Sequence, residues 1–316
     1  MNTAAGRRWL PTSPASCARL PAVAGDRTRS PTRLAVLVPV GPREDLVELA
    51  DTLDSVRCFT PADTLLLLLN DGARPAVHRV GSRSGLRTDV LDLPGPGRGI
   101  TGGLTWTVAH GLRRVLDHPD VDVVLRLDAD ALLTGPGIDV AARAAFAADR
   151  PVGALGSFDR LSTGERRDFG PAAWVLHQDL RSSRARHPIW AVNLRRVLRQ
   201  ARHNGYVDGE HALGTQLFSV ECLRRLARAR LLPAAGVRSS RLGDDQFIGL
   251  AVRAVGLRTA DFASGSKPLG LRWKGLPATP AELLSQRKLV VHSVKSHGEM
   301  DGAAVRAQFR ARRTAG

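Results

Sequence analysis

The fold is decided by the stretch Val121-Asp-Val-Val-Leu-Arg-Leu-Asp-Ala-Asp130, a mostly apolar run that ends in two aspartates. A short, nearly continuous apolar run predicts a buried β-strand. In extended chain, residues two positions apart project to the same side, so both carboxylates can address one hard cation or the oxygens that it holds. A solvated turn after the strand is the alternative interpretation.

Alternating strands and helices precede this stretch. Apolar runs predict strands at 34–40, 64–69 and 89–93, and periodically spaced apolar residues predict helices at 46–56 and 104–116. The resulting order, β-α-β-β-α-β, is typical of an α/β fold with a mostly parallel central sheet covered by helices. Ligands of such sheets bind outside the carboxyl ends of the strands, which is where Asp128 and Asp130 lie.

Beyond Gly135 the pattern becomes less regular. It predicts helices at 139–148, 189–202, 221–230 and from 245 onward, and strands at 171–176, 215–220 and 289–291. We expect a flexible leader at 1–32 and two halves, 33–135 and 136–300, that share a ligand-binding cleft. The basic residues 301–316 are expected to form a frayed tail or a surface helix.

Composition limits the classes of partner. The net charge of +16 suggests a polyanion, but only four of the 46 basic residues are lysine, which indicates coding bias rather than a binding surface. With 4% aromatic residues the chain lacks a base-stacking platform, so we expect no nucleic acid partner. Three widely spaced cysteines and the lack of a long apolar run predict a cytoplasmic protein that touches membranes only peripherally.

Three further clusters hold residues suited to chemistry. Asn70-Asp-Gly72 follows a predicted strand, where its carboxylate either bonds a nucleoside or belongs to an ordinary turn. In Gly243-Asp-Asp-Gln-Phe-Ile-Gly249, Asp244 or Asp245 is either a helix cap or a base that deprotonates an attacking hydroxyl. His292 ends an apolar run, where it is either a core residue or a metal ligand.

Taken in order, these features resemble the GT-A glycosyltransferases, particularly the large inverting family 2 type that uses nucleotide sugars. The resemblance spans residues 33–300. It rests on the first strand 34–40, the turn Asn70–Ala73, the D-x-D-like Leu125-Arg-Leu-Asp-Ala-Asp130, and Asp244-Asp-Gln-Phe-Ile-Gly249 followed by Gly256-Leu-Arg258. It implies a GT-A (Rossmann-like) fold with a smaller acceptor-side subdomain, in which 33–135 is the nucleotide-sugar-binding half and 136–300 is the acceptor-binding, catalytic half. The implied activity is transfer of a sugar from a nucleotide diphosphate, with a UDP-sugar as the first candidate, to an acceptor hydroxyl with inversion.

The resemblance also implies roles for individual residues. The implied donor-binding residues are Pro39, Val40, Asp71, Asp128, Asp130, Gly214 and Thr215. Asp71 would bond the base or the ribose, Asp128 the ribose or a metal-bound water, and Asp130 would coordinate Mn²⁺ or Mg²⁺ between the donor phosphates. The implied metal ligands are Asp130, Asp128 and His292.

Asp245 would be the general base, and Asp244 competes for that role because it replaces the glutamate of the family motif. Glu210, His211 and Gln216 are further candidates for contact with the donor sugar or the acceptor.

Some features leave alternatives open. Asn70 replaces the first acid of the nucleoside turn, so the selectivity for the nucleotide base stays open. The Arg-rich stretch 181–202 suggests a phosphorylated or lipid-linked acceptor, or else a solvated helix face. The alternative functions are a sugar-1-phosphate nucleotidyltransferase, for which Val40-Gly-Pro-Arg-Glu44 is a poor phosphate loop, and an inactive glycosyltransferase-like binding protein.

Overall fold

The computed structural model describes residues 33–93 and 99–314. Three stretches lie outside the described residues: the predicted leader 1–32, residues 94–98, and the last two residues of the predicted tail. In the part that is described, no helix combines the length and the apolar character needed to cross a membrane.

Twelve strands and ten helices are found among the described residues. The strands are β1 Arg33–Val40, β2 Leu65–Asp71, β3 Arg87–Leu93, β4 Val121–Arg126, β5 Leu132–Leu133, β6 Val152–Ser157, β7 Leu213–Ser219, β8 Arg258–Asp261, β9 Leu269–Leu271, β10 Val290–His292, β11 Ser296–His297 and β12 Met300–Asp301. The helices are α1 Leu46–Phe59, α2 Pro75–Arg83, α3 Leu104–Val115, α4 Ile138–Ala148, α5 Gly170–Arg186, α6 Pro188–His203, α7 Val220–Arg228, α8 Asp244–Ala254, α9 Pro280–Ser285 and α10 Gly302–Thr314.

The central sheet has the strand order β3-β2-β1-β4-β7-β6-β8. Within the described residues, every strand of this sheet runs in one direction except β7, which is antiparallel to both β4 and β6. The strands β1, β2 and β4 are almost wholly buried on both faces, as expected for a sheet between two helical layers. The predicted α/β class with a mostly parallel sheet is therefore confirmed.

Helices cover both faces of the sheet. Helices α1, α2 and α4 pack on one face, and helices α3, α5, α6, α7 and α8 pack on the other. Alternate residues of β1 serve the two cores, since Ala35 and Leu37 face one layer while Val36 and Val38 face the other. The carboxyl ends of the parallel strands thus emerge between two packed helical layers.

A smaller unit closes one side of this edge. The sheet β5-β10-β9 packs with α9 and α10 around a third core that includes Leu132, Val291 and Phe309. Strand β5 follows Asp130 closely in sequence and pairs with β10, which ends in His292. This pairing brings His292 next to the predicted D-x-D motif.

Helix α10 is anchored rather than frayed. Val305 and Phe309 are buried in the third core, and the guanidinium groups of Arg306 and Arg313 are buried against Asp51 of α1. The predicted surface helix is confirmed as a helix, but its basic residues serve a buried contact that their composition did not indicate.

The strand predicted at 171–176 is wrong, because these residues belong to helix α5. Pro171 stands in the first turn, where proline suits a helix, and the buried residues Ala172, Leu176, Asp179 and Ser183 recur at intervals of three and four. A six-residue window was too short to distinguish this helical period from a strand.

Candidate active site

Several predicted site residues meet at one edge of the central sheet. Because β1, β2 and β4 are parallel, the positions of Val40, Asp71 and Asp128 lie at or just beyond their carboxyl ends. Strand β7 runs the other way, so its first residues, including Gly214, lie at the same edge. The side chain of Val40 is buried in the core below this edge, which leaves its backbone to face the crevice.

Asp128, Asp130 and His292 converge there. One ligand atom from each lies within 4.8 Å of the others. The Nε2 atom of His292 is 3.2 Å from Asp130 Oδ1 and 3.5 Å from Asp128 Oδ2. A Cβ added to Gly214 would lie 3.4 Å from Asp128 Oδ2, so the glycine, which has a positive φ of 53°, lets β7 pass close to the cluster.

The donor set of this cluster fits a divalent cation. Two carboxylates and one imidazole form a set that Mn²⁺ accepts, and the carboxylate oxygens also suit Mg²⁺. Burial acts to raise the pKa of Asp130, but the hydrogen bond and charge of His292, the hydroxyl of Ser293 and the charge of Lys295 together hold it well below its usual range. The ionised form, which is the metal-binding form, is therefore favoured.

Distant parts of the chain hold the acidic loop. The hydroxyl of Thr52 in α1 lies 2.8 Å from the carbonyl oxygen of Ala129 and 3.0 Å from that of Ala131. Arg306 of α10 reaches the same Ala129 carbonyl at 3.4 Å and pairs with Asp51 at 2.9 Å. The backbone between the two aspartates is thus fixed by contacts from α1 and α10.

The residues that follow β10 fix the acidic loop from its other side. The Ser293 hydroxyl donates to Asp130 Oδ2 at 2.8 Å, and the Val294 amide donates to the Asp130 carbonyl at 3.0 Å. Lys295 lies 3.2 Å from the same carboxylate, but its side chain is 65% exposed. Lys295 is therefore a mobile cation beside the cluster and free to contact an anionic ligand.

Arg126 connects the two acidic motifs. Its side chain is only 4% exposed, and its Nη1 and Nη2 atoms lie 2.8 Å from Asp128 Oδ1 and 2.8 Å from Asp244 Oδ2. The contact with Asp128 is close in distance but lacks hydrogen-bond alignment, so it acts as an ion pair. Arg126 thus compensates one charge of each motif in an environment where an unpaired charge is costly.

Asp244 and Asp245 open helix α8, and Gly243 is the N-cap residue. The predicted cap role of either aspartate is therefore not observed. The Asp244 side chain is 10% exposed and is held by Arg126, whereas that of Asp245 is 22% exposed and accepts a hydrogen bond from the Gln246 amide. Of the two carboxylates, Asp245 is the one that faces the crevice.

The environment of Asp245 shifts its ionisation. Burial, followed by the neighbouring charge of Asp244, raises the pKa of Asp245 to about 7. Burial also raises the pKa of Asp244, and there the charge of Arg126 opposes the increase. Asp245 therefore exchanges its proton near neutral pH, as a general base must do to work there.

His211 and Arg167 form the wall beside Asp245. The His211 ring lies 2.7 Å from the Gly209 carbonyl through Nδ1 and 2.9 Å from Arg167 Nη2 through Nε2. Only a ring with its proton on Nδ1 satisfies both partners, because Arg167 is a donor. Burial and the Arg167 charge lower the pKa of His211 to about 4, so the ring is neutral and its Nε2, 3.7 Å from Asp245, has no proton to share.

The turn after β2 holds Asn70 and Asp71 in different ways. The Asn70 amide donates to Asp92 of β3 at 2.6 Å and to the Arg74 carbonyl at 3.1 Å, and its oxygen accepts from the Arg74 amide at 3.0 Å. Asn70 is thus a structural residue of the turn. The Asp71 carboxylate forms no hydrogen bond or ion pair with the described residues, so it is available to a ligand.

The remaining candidates are placed inside the protein. Thr215 is fully buried, and its hydroxyl has no hydrogen-bond partner among the described residues. Gln216 donates to the Ala212 carbonyl at 2.9 Å, and Glu210 pairs with Arg253 of α8 at 2.9 Å. Glu210 and Gln216 are therefore satisfied by internal contacts, and of the further candidates only His211 borders the crevice.

Residues that the sequence did not single out complete the site. They are Arg126, Arg167, Ser293 and Lys295. Arg126 carried a signal, since it is a charged residue that directly follows the apolar run Val123–Leu125 of the strand and therefore predicts a buried partner. Arg167 lies in an irregular segment, and its proximity to His211 follows only from the tertiary structure.

Comparisons with known proteins place the chain near several glycosyltransferase structures. A mannosyltransferase from Pyrobaculum calidifontis, solved with GDP-Man and Mn²⁺, matches over 77% of this chain and 58% of its own, with 19% identity and a TM-score of 0.40. The galactosyltransferase LgtC, solved with donor and acceptor sugar analogues, matches over 89% of this chain and 95% of its own, with 14% identity and a TM-score of 0.46.

A glycosyltransferase involved in glycosylation of the major capsid of PBCV-1 matches over 88% of this chain and 98% of its own, with 10% identity and a TM-score of 0.43. No family model matches the chain, and no curated protein matches it. The similar structures are thus glycosyltransferases, as the sequence resemblance leads one to expect. At these TM-scores the similarity carries no argument about activity, which depends on the geometry of the site.

Proposed function

We propose that this protein is a cation-assisted glycosyltransferase of the GT-A type, which transfers a sugar from a nucleoside diphosphate to an acceptor hydroxyl with inversion. A UDP-sugar is the first candidate donor, and a GDP-sugar is the second because Asn70 is engaged within its own turn. Mn²⁺ or Mg²⁺ is the cation that the carboxylates and imidazole suit.

The observation that carries this proposal is the position of Arg126 between the two motifs. One guanidinium group contacts Asp128 of the candidate cation site and Asp244, the neighbour of the candidate base, at 2.8 Å each. A donor diphosphate at the first motif would therefore have its sugar close to the second. Transfer needs this arrangement, because the leaving group and the attacking hydroxyl must approach the same carbon.

The roles follow from the chemistry of each group. A bound cation would neutralise the diphosphate and stabilise it as a leaving group. Asp71 would accept hydrogen bonds from the nucleoside, and Lys295 would turn from Asp130 toward the phosphates. Asp245 would take the proton of the acceptor hydroxyl as that oxygen bonds to the anomeric carbon and the bond from this carbon to the diphosphate breaks. Attack opposite the leaving group inverts the configuration.

Asp245 is preferred over Asp244 as the base for physical reasons. Asp244 is held by Arg126 and is the less exposed carboxylate. Asp245 faces the crevice and has a pKa of about 7, so it is ionised at slightly alkaline pH and still basic enough to accept a proton. Because His211 is neutral, the cation on that side of Asp245 is Arg167, whose charge only partly opposes the rise in the pKa of Asp245.

The nucleotidyltransferase alternative fits less well. Such an enzyme needs a basic, glycine-rich phosphate loop after the first strand. Here that loop presents Glu44, whose pKa is raised by burial and by the nearby charges of Asp130 and Asp128, while Lys295 opposes the increase. A carboxylate in that position repels a triphosphate.

The test is turnover of a panel of UDP- and GDP-sugars with Mn²⁺ or Mg²⁺, with released nucleotide and sugar followed by NMR. We expect slow release from one donor, with water as the acceptor and an inverted sugar product. Asp245→Asn should abolish release, and Asp244→Asn should reduce it less. Failure of every donor with both cations would contradict the proposal.

A further inference from the structure

A second cavity lies on the α3–α6 side of the sheet. Its volume is about 400 Å³, within the range of small-molecule sites. It is lined by Trp106, His187, Arg230, Pro233, Ala234, Ala235, Gly236, Val237, Arg238 and Ser239. None of the proposed donor, cation or base residues belongs to this lining, so the cavity is distinct from the site described above.

The lining of the cavity is cationic. It includes two arginines and a histidine, but no carboxylate. Some surface arginines are paired with a carboxylate, as are Arg225 and Arg228 of α7, which lie 2.9 and 3.3 Å from Glu221. By contrast, Arg230 and Arg238 form no ion pair with a carboxylate among the described residues. Two arginines gathered around a cavity without a counter-charge favour an anionic ligand.

The side chain of Arg238 is also held in a defined position. Its guanidinium carbon lies 4.4 Å from the centroid of the Trp106 ring, and stacking of this kind leaves the N–H groups at the edge of the guanidinium free to bind. Arg230 has a positive φ of 57°, a backbone conformation that non-glycine residues adopt rarely and mostly at special positions. A guanidinium group can donate two parallel hydrogen bonds to two oxygens of a phosphate.

The cavity is connected to the start of the base helix. From Ser239 the chain continues through Ser240 and Leu242 to Gly243, the N-cap of α8. This segment is held by Thr105, which donates to the Leu242 carbonyl at 3.3 Å, and by the Gly102 amide, which donates to the Ser240 carbonyl at 3.2 Å. A ligand in the cavity would therefore contact the segment that leads into helix α8 and Asp245.

We propose that this cavity binds the phosphate group of a phosphate-bearing acceptor, through Arg238 and Arg230. The inference rests on the proposed transferase function, since it names the class of acceptor for that same site. Either a soluble phosphate monoester or a lipid phosphate offers the recognised chemistry. Ile189 and Val192 at the start of α6 are exposed and follow His187 of the cavity by two and five positions. Apolar side chains in this position would tolerate a lipid surface.

The test measures anion binding without nucleotide or divalent cation, so that it does not depend on transfer. One arm titrates glycerol phosphate by calorimetry, and the other sediments the protein with phosphatidylcholine vesicles that contain phosphatidic acid. Arg238→Ala and Arg230→Asn should each weaken binding about 10-fold in the arm that gives a signal. Asparagine is chosen at position 230 because it tolerates a positive φ.

A matched control locates the effect. Arg228→Ala removes an exposed arginine that is paired with Glu221, and it should not change the affinity for the anion. Binding in only one arm, lost in Arg238→Ala, would support the inference and identify the source of the phosphate.

The inference would be overturned if wild type, Arg238→Ala and Arg230→Asn had equal affinity in both arms, or if no anion bound in either arm. This failure is distinguishable from failure of the transferase proposal. Donor turnover with unchanged anion binding would remove only the cavity inference, whereas Arg238-dependent binding without any donor turnover would remove only the transferase.

Discussion

The two acidic motifs of the site are held in place by different means. The loop from Asp128 to Asp130 is fixed by Thr52, Ser293 and Arg306, which are 77 to 177 positions away from their partners in the loop. Asp244 and Asp245 are placed by the start of their own helix, and Arg126 connects Asp244 to the first motif. The position of the loop therefore depends on distant contacts, whereas the second motif depends on local structure and on burial.

The largest expected effect concerns the second motif. Asp245→Asn keeps the hydrogen bond from the Gln246 amide but removes the proton acceptor, so transfer should fall about 10³-fold while nucleotide affinity stays unchanged. Initial rates with the best donor, together with calorimetric titration of the nucleotide, check this. A comparable rate in the variant would assign the proton transfer to another group.

The next effect concerns the support of the loop. Asp51 is buried and meets Arg306, Arg310 and Arg313 at 2.9, 3.0 and 2.5 Å. Asp51→Ala leaves buried arginines uncompensated and should lower the free energy of unfolding by about 3 kcal/mol. The matched control is Arg310→Ala, whose side chain is 56% exposed and which should cost about 0.5 kcal/mol or less. Chemical denaturation measures the free energy of unfolding of both variants. Equal losses would show that the buried arginines of α10 do not hold the acidic loop in place.

The pH dependence of stability is the next prediction, and it concerns Asp245 of the second motif. Because the pKa of Asp245 is raised to about 7, the native state binds more protons than the unfolded state between about pH 4 and pH 7. The contribution of Asp245 to stability should therefore fall as pH rises, by about 3 kcal/mol between pH 5 and pH 8, while His211, whose pKa is lowered to about 4, contributes in the opposite direction. Asp245→Asn should remove the Asp245 contribution, so stability should rise more, or fall less, with pH in the variant than in wild type. Denaturation at pH 5 and pH 8 tests the sign. Unchanged pH dependence in the variant would mean that Asp245 has an ordinary pKa.

The smallest effect concerns one hydroxyl. Thr52→Val keeps the volume of the side chain but removes the hydroxyl that the carbonyls of Ala129 and Ala131 share, and it leaves Ala129 with only the longer contact from Arg306, so Mn²⁺ affinity should fall about 10-fold. Thr52→Ser keeps the hydroxyl and should retain the affinity. Manganese binding followed by electron paramagnetic resonance is the measurement, with thermal unfolding to confirm folding. Loss in both variants would indicate a packing effect rather than positioning of the loop.

The same contrast explains what could be predicted from the sequence. The apolar runs that end at Val40, Asp71 and Asp128 placed these residues at one sheet edge, because parallel strands share their carboxyl ends. Helix α8 was predicted from local periodicity, and with it the position of Asp245. The structure adds that Asp245 faces the crevice while Asp244 is held by Arg126, a distinction that depends on burial.

Contacts between distant residues could not be predicted in this way. Arg306 looked like part of a basic tail, and only the packing of α10 on α1 brings it to Asp51 and to the acidic loop. Arg167 likewise gave no signal of its position beside His211. A single sequence has no local pattern that identifies such a partner, which is 44 positions away for Arg167 and 255 for Arg306.

The most direct test of the account is calorimetric titration of UDP and GDP into wild type and Asp130→Asn, with and without Mn²⁺. The account predicts binding of one nucleotide that depends on manganese and is lost in the variant, because Asp130 belongs to the cluster that suits the cation. Manganese-independent binding that Asp130→Asn leaves unchanged, or no binding of either nucleotide, would contradict the assignment of this edge of the sheet as the donor site.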